Sequence, residues 1–280
     1  KLIPFLFITY LVMEYFESRA GKNALGWLEK AGSLGPVIGA LVGVTPQCGF
    51  SAAAASLYSG GVITAGALLA VFLSTSDEML PLFIAASVPA VTIVKILAVK
   101  IAIGMFWGFV LEFIFRKGFM VSAEPLDIEE ADDEDYDGEI VIEGCGCTKQ
   151  PLVMYALSHT LQIFGYIIVF SIIINLLIAA VGEDTLALVF TDIPFLGELC
   201  AGIVGLIPNC ASSVVITGLY IEGVLSSGAM MAGLLVNAGV GLVVLFRENS
   251  SHKESGALLA ILYITGTLSG FLINLTGMAF

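Results

Sequence analysis

The chain has 280 residues, of which 58% are hydrophobic and only 12% charged, with a formal net charge of −13. That composition excludes a soluble globular domain, because several apolar runs approach or exceed the roughly 20 residues a helix needs to cross a bilayer. The runs are continuous rather than alternating, which excludes an outer-membrane barrel in favour of membrane helices.

Leu2–Phe16 is the first expected membrane helix, carrying Glu14 near its end. It starts almost at once after Lys1, and the natural chain is expected to extend upstream. Ser18–Gly32 is a basic loop with Arg19, Lys22 and Lys30. Ser33–Thr45 is apolar but too short to span, and Phe50–Tyr58 is another short helix after the break Pro46-Gln47-Cys48-Gly49. Together the two pieces suit a re-entrant hairpin, since irregular backbone at membrane depth is tolerated only when buried in protein or lining a cavity. Val62–Ala86 is long enough to span and contains Thr75, Asp77 and Glu78. Ala90–Phe115 is the next span, with Lys95 and Lys100 inside it.

An acidic loop follows. Eleven of the 24 acidic residues and one base, Lys149, lie between Ser122 and Gln150, so this stretch carries most of the net charge. It reads as a solvated, disordered, cytoplasmic segment. Cys145 and Cys147 lie in it, too close together for an easy mutual disulfide, and with the carboxylates they could collect a soft cation loosely. Cys48, Cys200 and Cys210 lie in apolar stretches, and all five cysteines read as thiols. Leu152–Val181 is a long helix holding His159, Gln162 and Asn175. Beyond the loop Gly182–Pro194, Phe195–Ile207 and Ala211–Ile221 form a second hairpin, Val224–Phe246 spans with Asn237 in it, and Gly256–Ala279 is the last span, with Asn274.

The two hairpins are copies. From Pro46 to Pro208 the offset is 162 residues, and at that offset Gly35, Tyr58, Gly61, Gly66 and Ala70 meet Gly197, Tyr220, Gly223, Gly228 and Ala232 without a gap. An internal repeat of this kind organises the whole reading. Each half holds one helix, one hairpin and two helices, an odd number of crossings, so the halves are expected to be inverted. The loops Ser18–Gly32, Arg116–Pro151 and Arg247–Ser255, which hold nearly all the Lys and Arg outside the helices, then share the cytoplasmic side, and Gly182–Pro194, with neither Lys nor Arg, lies outside, as the positive-inside rule asks. The expected fold is an all-α polytopic membrane protein of two inverted repeats, residues 1–117 and 152–280, around the acidic loop 118–151, with ten helical segments.

Interrupted apolar segments at corresponding places of two halves point to a binding site. The first tip offers Thr45, Gln47, Cys48 and Ser51; the second offers Asn209, Cys210, Ser212 and Ser213. The half-helices beginning there aim free backbone N–H groups at the site. Thr75 and Asn237 are repeat equivalents and candidate cavity-lining groups. Asp77 and Glu78 lie within a span, where a charge is costly and a functional candidate. Lys95 and Lys100 could be their counter-ions or could snorkel outward. His159 could ligate a metal, carry a proton, or be satisfied by a carbonyl.

The runs Thr45–Ser51, Ser74–Pro81, His159–Phe164, Ile207–Ala211 and Leu234–Gly239 are similar to those of the ten-transmembrane heavy-metal exporter family, members of which are also labelled arsenic-efflux-like or manganese transporter permeases. The resemblance implies a secondary transporter of the plasma membrane, exporting a metal or metalloid by alternating access. Cys48 and Cys210 would hold the soft centre, with Asp77, Glu78 and His159 as metal ligands or, with Lys95, as proton carriers. Positive half-helix ends suit a neutral hydroxide or an anion better than a divalent cation, so a carrier of small anions is the second reading. A structural or channel-like membrane protein is the third. No enzyme activity, cofactor or nucleic-acid partner is expected; the bilayer is a partner, and a homodimer is compatible with the sequence.

Overall fold

The computed structural model describes residues 34–45, 48–76, 79–115, 195–208, 210–278 and 280. The expected helices Leu2–Phe16 and Leu152–Val181 and the segment 118–151 lie outside the described residues, as do Gln47, Asp77, Glu78, His159, Asn209 and the side chains of Cys48 and Cys210. The described residues form helices and their connections: α1 (Gly35–Gly43), α2 (Cys48–Ser59), α3 (Ala65–Ser74), α4 (Met79–Ala85) and α5 (Ala90–Phe115) in the first half. The second half gives α6 (Leu196–Gly205), α7 (Cys210–Ile221), α8 (Ser227–Val236), α9 (Gly241–Glu248) and α10 (His252–Leu275). Shifted by the repeat offset, α2 falls on α7 and α3 on α8 residue for residue.

The same local chemistry sets the same boundaries twice. Thr64 Oγ1 accepts from Ala67 N (3.2 Å) to cap α3, and Ser226 Oγ accepts from Ala229 N (3.1 Å) to cap α8. A capping hydroxyl satisfies one of the N–H groups a helix start leaves without a partner. Both α2 and α7 end in a left-handed glycine, Gly61 (φ 74) and Gly223 (φ 76), where any side chain would be strained. Val62 N then reaches back to Leu57 O and Val224 N to Leu219 O, the closing bond of a Schellman motif.

Among the described residues, four apolar stretches are long enough to cross a membrane: Ala65–Ala85, Ala90–Ile114, Ser227–Glu248 and His252–Leu275. Two of them, expected from sequence as continuous helices, are broken in the middle. In the first, α3 stops at Ser74 and α4 starts at Met79. Pro81 accounts for this: a continuous helix would drive its ring into the carbonyl of residue 77. The hydroxyls of Ser74 and Thr75 turn back onto Ala70 O and Val71 O, 2.8 Å each, competing for the last acceptors of the turn. In the second, α8 stops at Val236, and Asn237 Oδ1 accepts from Gly239 N (3.1 Å) while Gly239 takes φ 54. That turn diverts the chain before α9.

The broken spans are the interior and the continuous ones the exterior. Over their most apolar windows the former are 81% and 83% buried, the latter 28% and 44%. On α5, Val91, Val94, Phe106 and Phe113 are exposed, and on α10 Ile264 and Leu272, an apolar outer surface suited to lipid.

Glycines set the chain directions by allowing close approach. A methyl on Gly35 would lie 2.9 Å from Ala67 Cβ, and one on Gly43 2.6 Å from Val71 O, so α1 runs beside α3 in the same direction. In the second half, Gly228 lies by Glu198 and Gly205 presses on Gly233, giving α6 and α8 the same parallel relation. By contrast α5 runs against α3, with Gly108 by Gly66 and Gly104 by Ala70, and α10 runs against α8, with Gly270 by Gly228 and Gly266 by Val236. Such small-residue contacts let membrane helices pack closely. The halves are interleaved. α2 packs along α9 far more than along α1, and α7 packs against α4, where Phe83 and Tyr220 meet edge to face at 6.1 Å.

Candidate functional site

The interruptions converge. Ser76 Oγ donates to Val44 O (2.7 Å), tying the break between α3 and α4 to the turn after α1. A methyl on Gly241, the first residue of α9, would lie 2.7 Å from Ser51 O and 2.9 Å from the Phe72 ring, so the second break sits beside the start of α2. Lys100, on α5, is fully buried and joins both breaks: its Nζ donates to Thr75 O and to Leu234 O, the latter at 3.0 Å. Turn, breaks and ammonium therefore form one polar centre within an apolar interior.

Of the residues expected at the site, Ser51, Ser212 and Ser213 are buried at the first turns of α2 and α7, and Thr45 is half-buried after the end of α1. Ser212 Oγ donates to Ile207 O (3.2 Å), tying the first turn of α7 to the end of the turn after α6. Cys48 and Cys210 are the first residues of α2 and α7, so each stands at a helix start. Thr75 and Asn237 are both buried and both cap their helices, yet their side chains are used locally: Thr75 Oγ1 on Val71 O, Asn237 Oδ1 on Gly239 N. They shape the breaks. Lys95 is exposed on α5. Among the described residues no three His, Cys, Asp or Glu side chains come together, since the metal-ligand candidates fall on residues or side chains outside them.

Two groups carry more weight than the sequence suggested. Lys100 shares a helix face with Gly104 and Gly108, the glycines that press on α3, because residues four apart lie on one side. Lys95, five residues back, is rotated away by about 140°. That glycine spacing is the signal which separates the buried lysine from the exposed one. Glu198 is buried in the first turn of α6 and accepts from Asn274 Nδ2 (2.9 Å), so Asn274 joins α10 to α6. An acid is favoured in a first turn by the helix dipole.

Apolar spans with paired interior breaks define a polytopic α-helical membrane protein, and among the described residues polar groups of both breaks meet at Lys100. The family model described as "Putative, 10TM heavy-metal exporter" matches residues 2–191, and the chain belongs to that family. The matched stretch takes in α1 and α2, the first break, α5, the acidic segment and His159; α6–α10 correspond to α1–α5 through the internal repeat. No curated protein and no solved structure matches the chain.

Proposed function

We propose that the protein is a secondary active transporter that exports a heavy metal or metalloid, manganese- or arsenite-like, by alternating access across the plasma membrane. Cargo binds between the tips of two re-entrant hairpins belonging to inverted repeats. Family membership supports export of a metal. The observation that carries the mechanism is the parallel run of α1 beside α3 and of α6 beside α8. α1 spans about 13.5 Å and α2 about 18 Å. Were α2 to continue in the direction of α1, the connection 60–64 would have to cover about 30 Å, beyond the roughly 20 Å it can reach. α2 therefore returns to the side from which α1 came.

Packing of α2 along α9, and of α7 against α4, supports inversion, because each hairpin's returning helix lies on the far half of the other repeat's broken span. Trp107 Nε1 donates to Ser269 Oγ (2.9 Å), and these two residues are each other's repeat equivalents. A residue touches its own equivalent only near the symmetry axis.

In this reading Cys48 and Cys210 bind the soft centre. Thr45, Gln47, Ser51, Asn209, Ser212 and Ser213 add oxygen and amide ligands, and Asp77, Glu78 and His159 balance a cation or carry protons. The acidic loop lies in the cytoplasm. The buried ammonium of Lys100 favours one second reading, a carrier of small anions, because a fixed positive charge at the centre repels a free cation unless carboxylates offset it. A panel of metals and oxyanions tested on cells lacking or overproducing the protein separates the two. The Cys48→Ala, Cys210→Ala double variant is expected to abolish resistance to a thiophilic cargo while the protein remains folded. Normal resistance in that variant would remove the thiols from the site.

A further inference from the structure

We propose that backbone carbonyls at the two helix breaks form a monovalent-cation site, and that Lys100 fills it as a tethered cation, so that no free sodium is needed to join the two halves. Thr75 is the C-cap of α3, and its carbonyl accepts from Lys100 Nζ. Leu234 O lies in the last turn of α8. There the helical ladder ends with Asn237 N on Gly233 O, and the next carbonyl in the series is the one Lys100 reaches at 3.0 Å. Both oxygens thus belong to the carbonyls that a helix leaves without an internal partner, at the negative end of its dipole.

Two such ends brought together in an apolar interior need a positive group, and an ammonium removed from water needs acceptors in turn. Interrupted helices of secondary transporters offer such C-terminal carbonyls to a coupling cation. Here a side chain from α5 stands in that place. Its repeat equivalent is Leu262, which is buried and apolar, so a single cation serves both breaks. Because α5 belongs to the first half and α8 to the second, the ammonium is also a tie across the interface of the repeats. The cation site stands on this geometry; only its consequence for coupling rests on the transporter reading above.

The test uses the purified full chain in detergent. Its thermal unfolding is followed in sodium chloride, methylammonium chloride and choline chloride for wild type, Lys100→Ala and Lys100→Met. Wild type is expected to unfold at one temperature in all three salts. Lys100→Ala opens the site, so its Tm should be lowest in choline and rise by about 5 °C in sodium or methylammonium at a hundredfold excess over the dissociation constant. Lys100→Met fills the volume without charge and should not respond.

A folded Lys100→Ala protein indifferent to all three salts overturns the proposal, since a lysine with only a packing role behaves that way. Should that variant not fold, the wild-type arm still decides: a wild-type Tm raised by sodium over choline means that the ion, not Lys100, occupies the site. A sodium-responsive Lys100→Ala protein from a chain that moves no metal or oxyanion would keep the cation site and defeat the transporter reading.

Discussion

The two broken spans occupy the same place in their repeats and are built differently. Both are interior, both begin at a capped helix start, and both are pressed by glycines of a long outer helix. The first break reads Thr75-Ser76-Asp77-Glu78 and the second Asn237-Ala238-Gly239-Val240; Lys100 of the first half reaches both, while its equivalent in the second half is the apolar Leu262. The first is interrupted by a proline and by hydroxyls that turn back on the helix, the second by an amide turn and a left-handed glycine. At the breaks, scaffold is duplicated while the ionisable residues lie on one copy.

The sharpest way to break that contrast is to neutralise the charged copy. Asp77→Asn with Glu78→Gln is expected to weaken binding of a cation such as Mn²⁺ about 100-fold, or about 2.7 kcal/mol. Asn237→Ala in the other break should cost less than about tenfold. Binding of an anion should be unchanged or tighter, because like charge is removed from a low-dielectric site. A neutral cargo should keep its affinity and lose proton coupling. Isotherms of purified proteins with Mn²⁺, arsenite and a dicarboxylate distinguish these outcomes. Unchanged Mn²⁺ binding in the double variant would make the acidic pair structural and eliminate manganese as cargo.

The duplicated scaffold predicts a smaller effect shared by both halves. Gly43 and Gly205 are repeat equivalents at the ends of α1 and α6. A methyl on Gly43 would overlap Ser74 Oγ and lie 2.6 Å from Val71 O; one on Gly205 would overlap Gly233 O. Overpacking of this kind typically costs about 1–3 kcal/mol. Gly205→Ala should cost at least as much as Gly43→Ala, since its nearest obstacle is backbone, whereas Ser74 can change rotamer. Thermal unfolding of the two variants measures the order; a Gly205→Ala protein as stable as wild type would mean that α6 and α8 are not held at this spacing.

How far the sequence reached follows the same division. The repeat, the short helices on either side of Pro46 and Pro208 and the outer spans are visible in composition and spacing, because each boundary has a local cause: a capping hydroxyl, a left-handed glycine, a proline. The breaks after Ser74 and Val236 were not visible as breaks. Mean hydropathy over a span-length window stays high across both, even with the polar run Ser74–Glu78 in the first, and Pro81 and Gly239 are residues that membrane helices often tolerate. The pairing of α2 with α9 has no local signal, since it joins residues far apart in the chain. Lys95 and Lys100 are alike to any composition count. Only the phase fixed by Gly104 and Gly108 puts one inside and one outside. Gln47, Asp77, Glu78, His159 and Asn209 remain assignments made from sequence and from family resemblance.

The smallest effect is the most exacting check on duplication. Thr64 and Ser226 hold the same N-cap position in the two halves, with extended backbones (ψ 157 and 159) and bonds of 3.2 and 3.1 Å to the third residue on. Replacing a capping hydroxyl by alanine typically costs about 1 kcal/mol. For a domain of this size that corresponds to a fall in Tm of about 2–4 °C. If the halves are energetic as well as geometric copies, Thr64→Ala and Ser226→Ala should cost the same within about 0.5 kcal/mol, and the double variant should lose their sum, as independent sites do. A Thr64→Ala cost well above the Ser226→Ala cost would show that α3, which carries the charged break, bears more of the stability. The duplication would then be one of shape alone.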